Sequence, residues 1–212
     1  MIMFLLACTG GGGYAYSGVP MSDYFPLDGE RTWVFNNEDT TITWQLRISK
    51  QLQTSQKDGR EVVTLDYDNA ETGELLGTVS WSVVKGDEVL VHDYSLGAEA
   101  SVAFDPPVAI TTTSDTMQVD EEVASDTKDS NGKSWTFTGT YVESYPECPT
   151  TYSDDFTKCA HFVVTTEDGG EGTTPLFVAD MTLVSSLGPA FVTLPGWSTP
   201  WELSSFDFSA EE

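Results

Sequence analysis

The chain has 212 residues, with nine Lys and Arg against 34 Asp and Glu for a net charge of −25, and 39% hydrophobic residues. A chain this long buries ~70% of its unfolded surface, which excludes a wholly disordered acidic protein. Nine basic residues are too few for the basic face that a phosphate backbone requires, which excludes nucleic acid as a partner, and no apolar run approaches the ~18 residues that span a bilayer.

The first element is the apolar run Met1-Ile2-Met3-Phe4-Leu5-Leu6-Ala7, which ends in a small residue and meets Cys8 and a glycine run from Gly10 to Gly13. Leu5-Leu6-Ala7-Cys8 resembles the lipobox of bacterial lipoproteins. The resemblance implies cleavage before Cys8 and transfer of lipid to its thiol. Residues 1–7 then read as a signal-peptide remnant, without the positive start and with a short apolar stretch, so the true start is expected upstream. Residues 8–22 read as the lipidated cysteine and its tether, since a Gly-rich chain of this length spans ~20 Å. An anionic membrane repels the acidic body, so attachment falls to acyl chains, at about 0.8 kcal/mol per buried methylene. The expected location is the bacterial cell envelope, at the outer membrane or cell surface.

The body opens on Tyr24-Phe25-Pro26-Leu27-Asp28-Gly29-Glu30-Arg31-Thr32-Trp33-Val34-Phe35. This stretch resembles the Y-F-P-L…G…W-x-Y opening of uncharacterised bacterial secreted lipoproteins, which implies a curved antiparallel sheet and no particular activity. Strand-like alternation follows. Ile42, Trp44, Leu46 and Ile48 form one apolar set, then Val63, Leu65 and Tyr67, then Leu75, Val79, Trp81 and Val83 with Gly77 on the same side. Met117, Val119 and Val123 fit a strand, as do Trp135, Phe137 and Tyr141, and Phe177, Ala179, Met181 and Leu183. The intervening positions are rich in threonine, which suits an exposed pleated face. Turns are expected at Asn69 to Gly73, at Lys85-Gly86-Asp87, at Asn131-Gly132 and at Glu167 to Gly172, and Asp105-Pro106-Pro107 should break a ladder because proline has no donor.

These signals predict an all-β single domain over residues 23–208, of about ten to twelve antiparallel strands in a strongly curved sheet, half-barrel or sandwich. Residues 209–212 are expected to fray. A looser resemblance is to lipoprotein carriers of the LolA and LolB type, which implies a half-barrel holding acyl chains; the helices that close such half-barrels have no counterpart in this sequence.

Once Cys8 is assigned to lipid, Cys148 and Cys159 remain. An exported pair across a short polar loop predicts a disulfide, worth up to ~3 kcal/mol; two separate buried thiols are the alternative. No nucleophile elbow, zinc-protease helix or phosphate loop occurs. His92 and His161 are the sole candidate bases near neutral pH, and both read as structural or surface residues. The pairs Asp66/Asp68 and Asp154/Asp155 read as solvated acidic surface. Asp126 to Gly132 fails the EF-hand spacing, which leaves no assigned metal or cofactor, with calcium elsewhere among the acidic loops left open. Trp197, Trp201 and Phe206 lie in a proline-framed aromatic segment that reads either as a packed lid or as a groove for an apolar or sugar ligand. The sequence therefore leads to a lipid-anchored, non-catalytic binding or structural protein, whose partners would be the membrane and an apolar small molecule or envelope protein. An envelope hydrolase using acids or a metal, and an adhesive or glycan-binding module, are the rivals.

Overall fold

The computed structural model describes residues 21–37, 45–51, 53–83, 88–112, 117–145, 159–167 and 174–209. Cys8 with its lipobox, Ile42, Trp44, the Lys85 turn, Cys148 and Asp154/Asp155 lie outside the described residues. After a single 3-10 turn at Met21–Tyr24 the chain runs through strands β1 (Glu30–Asn36), β2 (Gln45–Lys50), β3 (Ser55–Lys57), β4 (Arg60–Asn69), β5 (Leu75–Val83), β6 (Val89–Leu96) and β7 (Val102–Ala109). It continues through β8 (Glu121–Asp129), β9 (Ser134–Tyr145), β10 (Cys159–Thr166), β11 (Asp180–Val184), β12 (Gly188–Thr193) and β13 (Trp201–Ser209). The all-β expectation holds.

Sequence neighbours pair antiparallel from β4 to β13, and β13 returns to pair with β1. β2 pairs on one side with β1 and on the other with β4, from Leu46↔Asn69 to Lys50↔Leu65, which closes the ring. The architecture is thus a closed up-and-down barrel of twelve strands, with short β3 attached to the free end of β4. This is more specific than the curved sheet, half-barrel or sandwich read from the sequence. Closure leaves a barrel no lateral edge.

Antiparallel order sorts the connections onto two ends. One end, the near end, gathers the start of β1, the end of β13, the β3–β4 hairpin and the β11–β12 turn. The far end gathers the β4–β5, β6–β7, β8–β9 and β12–β13 connections.

A twelve-strand ring is wider than the eight-strand barrel that wall side chains alone can fill. Loop segments supply the difference. Tyr24 and Phe25 enter from the near end, as do Ile110 and Met117, and Phe177 enters from the far end, all buried. Aromatic rings form a continuous column. Phe25 stands 5.8 Å from Trp81, Trp81 6.1 Å from Phe177, Phe177 5.1 Å from Phe137 and Phe137 5.5 Å from Trp135. Trp33 closes the gap beside the β11–β12 turn, donating from Nε1 to the Leu187 carbonyl at 2.7 Å.

The apolar sets read in β2, β4 and β9 are buried, whereas Val62 is buried on the opposite face, Leu75 and Val83 are half-buried, Phe177 and Ala179 precede β11, and β8 differs in kind. Its inward positions Ser125, Thr127 and Asp129 are buried and polar. Across from them β7 contains Pro106 and Pro107, and β7–β8 pair through Phe104↔Asp129 and Asp105↔Lys128 alone among the described residues. The prolines break the ladder as expected, yet the strand continues through them. Side chains stand in for missing rungs: Thr127 donates to the Pro106 carbonyl, and the Ala109 amide donates to Ser125 Oγ at 3.1 Å. Met117 and Val119, expected in a strand, instead precede β8.

On β8 and β9 the outward positions carry Glu122, Asp126, Thr136, Thr138 and Thr140. A transmembrane barrel has the reverse pattern, an apolar band facing lipid. No helix among the described residues is long and apolar enough to cross a membrane.

Candidate functional site

A cleft of about 590 Å³ opens in the near mouth. Its walls are the segment Ser22 to Gly29, the rim residues Arg31, Lys50, Glu61, Val63 and Val83, and Ser186 of the β11–β12 turn. Sequence dictates the local geometry. Pro26 and Gly29 prevent a strand before β1, and Gly29 takes a left-handed φ of 64°, a conformation that suits glycine. The segment is pinned by Ser186, whose amide donates to the Asp23 carbonyl at 2.8 Å. Phe25 faces down into the core, so the cleft has an apolar floor and a charged rim.

Arg31 is held in place on three sides. Nε donates to the Asp28 carbonyl at 2.8 Å, Nη2 to the Asp28 carboxylate at 2.7 Å, and the guanidinium lies 4.2 Å over the Phe208 ring. Lys50 follows Ile48 by two residues on β2, and Glu61 precedes Val63 by two on β4, so all three charged side chains continue inward-facing rows. Below this cleft an apolar cavity of about 40 Å³ lies among Tyr24, Phe25, Trp33, Trp81 and Met181.

The two histidines lie on the outer wall. His92 occupies a bulge in β6, because Ser80 pairs with Asp93 and Trp81 with Val91. Its Nε2 shares a hydrogen bond with Ser82 Oγ at 2.8 Å. At 3% and 0% exposure the His92–Ser82 pair has no open face. Burial lowers the His92 pKa, and the Lys57 charge lowers it further. Asp93 next to it ion-pairs with Lys57 and accepts from Ser80 at 2.7 Å and Ser101 at 3.0 Å. Burial raises the Asp93 pKa, but the Lys57, Ser80 and Ser101 interactions outweigh it and hold the carboxyl below its ordinary range. His161 on β10 is half-buried, with Nε2 2.7 Å from Asp180 Oδ1. The histidines therefore sit on separate strands, and neither lines the mouth cleft.

A third opening, about 360 Å³, follows the thin β7–β8 seam beside Pro106, Asp126, Lys128 and Trp135. The nearby Asp129 carboxylate, one of the residues weighed for calcium, is already engaged. It accepts from the amides of Asn131 and Lys133 at 2.9 Å and from Trp135 Nε1 at 3.0 Å. Burial raises its pKa, and these hydrogen bonds outweigh burial and leave it low. Among the described residues no group of three or more His, Cys, Asp and Glu stands close enough to hold a metal ion.

The aromatic candidates do not converge. Trp201, 1% exposed, is core, and half-buried Trp197 meets it edge-on at 4.8 Å at the far end. Phe206, 37% exposed, lies opposite Trp33 toward the near end and beside Phe208 at 4.8 Å. None of the three openings described above is lined by these residues. Cys159 is buried at the start of β10. Asp68 pairs with Arg47 at 3.0 Å on the outer wall. The residues missed from sequence were Arg31, Lys50 and Glu61; the available signal was charge at positions in phase with Trp33, Ile48 and Val63.

Comparison with protein families, with curated proteins and with solved structures finds no match for this chain.

Proposed function

We propose that this chain is a lipid-anchored, non-catalytic protein of the bacterial cell envelope, a rigid barrel whose rims and mouth are its binding surfaces. The observation that assigns binding to the rims and mouth is the aromatic filling of the barrel. Ligand pockets commonly run to ~300–1,000 Å³, and the internal cavity of about 40 Å³ holds neither an acyl chain nor a sugar. Passive carriage inside the barrel is therefore disfavoured, and recognition falls to the mouth cleft and the polar outer wall. The closed setting of the His92–Ser82 pair weighs against a histidine-activated serine nucleophile. The tether joins the described chain at residue 21, beside the near mouth, so anchoring through Cys8 keeps the near mouth within reach of the membrane.

The test is expression from the full native gene in a bacterial host. The protein is expected in the detergent phase on partitioning, and Cys8→Ser is expected to shift it to the aqueous phase or to block its processing. Unchanged partitioning of Cys8→Ser would overturn the anchor. Non-reducing peptide mapping of the same exported protein should link the Cys148 and Cys159 peptides; two free thiols would remove the disulfide.

A further inference from the structure

At the rim of the near mouth Arg31, Lys50 and Glu61 line the cleft. β1 and β2 pair Thr32↔Ser49 and Trp33↔Ile48, so the next step of the same register sets Arg31 opposite Lys50. Two of the nine basic residues in a chain of net charge −25 stand together at this rim, Arg31 in an ion pair with Asp28. Arg31 is oriented in advance by Asp28 and Phe208, which lowers the entropy lost when it binds.

The rest of the cleft limits what these cations can meet. Asp23, Asp28 and Glu61 also line it, and three carboxylates oppose a simple anion. The same acids are too dispersed for a metal ion. A ligand carrying both signs satisfies both sets of groups. Ser22 and Ser186 supply hydroxyls, and Phe25, Leu27, Val63 and Val83 supply an apolar floor.

We propose that the mouth cleft binds a zwitterionic phospholipid headgroup, a phosphodiester carrying a primary amine. Arg31 and Lys50 take the phosphate oxygens through charge-assisted hydrogen bonds, and Glu61 and Asp23 take the ammonium. The assignment to lipid rests on the anchor reading, which keeps this mouth within tether reach of the bilayer. A headgroup of zero net charge is also the one that a body of −25 meets without repulsion.

The experiment uses the full chain carrying Cys8→Ser, so that no acyl anchor contributes. It is titrated with vesicles of mixed phosphatidylethanolamine and phosphatidylcholine, with vesicles of phosphatidylglycerol, and with soluble glycerophosphoethanolamine. Saturable binding is expected to the phosphatidylethanolamine vesicles and, more weakly, to the soluble compound. The double variant Arg31→Gln/Lys50→Gln is expected to lose at least about tenfold in affinity, as for loss of charged hydrogen bonds. Arg31 also braces Phe208, so Lys50→Gln alone serves as the second variant, with a loss of about threefold or more at unchanged melting temperature. No vesicle binding by the starting protein, equal binding by the variants, or tighter binding to phosphatidylglycerol would overturn the proposal. Binding of the soluble compound without vesicle binding would overturn its assignment to the membrane. Failure of the Cys8 anchor leaves these readouts intact, so the two proposals fail separately.

Discussion

His92 shows how one residue in a bulge acquires its chemistry from its surroundings. The bulge turns it onto the outer wall, where the β3–β4 hairpin brings Lys57, Asp58 and Arg60 near. Burial penalises the imidazolium most, Lys57 adds to that, and Asp93 and Asp58 offset part of it, so the folded-state pKa lies below 6.5. Between the folded and unfolded values the unfolded chain binds more protons. The contribution of His92 to stability is therefore complete above 6.5 and declines as pH falls below it. Denaturant titrations between about pH 7.5 and about pH 5 should show stability falling toward acid, with a shallower slope in His92→Gln; an unchanged slope would refute the assignment. Asp93 acts in a lower window. Its contribution is present above 3.8 and is lost as pH falls through its depressed folded value.

At the scale of elements, the β7–β8 seam and Gly139 on β9 explain how a broad barrel closes over loops. Ile110 leaves β7 and turns inward, where its carbonyl runs close against β9. A Cβ on Gly139 would lie 2.1 Å from the Ile110 carbonyl oxygen. Both partners are backbone, so neither can rotate aside. Gly139→Ala should cost about 3 kcal/mol, at the upper end of overpacking penalties, measurable as a lower midpoint of chemical denaturation. The exposed Gly132 serves as the control. Its φ of 84° demands glycine, yet open space surrounds it, so Gly132→Ala should cost only about 1 kcal/mol.

For the whole molecule, ring closure depends on β13. It pairs with β1 over Glu30↔Ser209 to Asn36↔Glu202 and carries Trp201 and Leu203 into the core. Ending the chain after residue 200 would expose the edges of β1 and β12, uncover Trp33 and remove two core side chains. Loss of cooperative melting is expected in calorimetry. Ending it after residue 209 should leave the transition unchanged, because the ring is intact. A cooperative transition in the shorter chain would show that the barrel does not need this closure.

Alternation along single strands was sufficient to establish from sequence that the protein is all-β and which side chains face inward, since the side-chain period is a local property of extended backbone. Leu65, Trp81 and Phe137 were legible as core on that ground, whereas Phe177, read in the same way, reaches the core from the loop before β11. Local pattern could not show that β2 would pair with β4 across the short β3 and turn a curved sheet into a ring, because that depends on accumulated twist, bulges and register across all strands. The mouth cleft followed from the same decision. In a protein with 34 acidic residues, Glu61 reads as solvated surface, and Arg31 and Lys50 read as strand ends. Only closure gives those strand ends a shared inside, and only the Ser22 to Gly29 segment folding across them makes that inside a cleft.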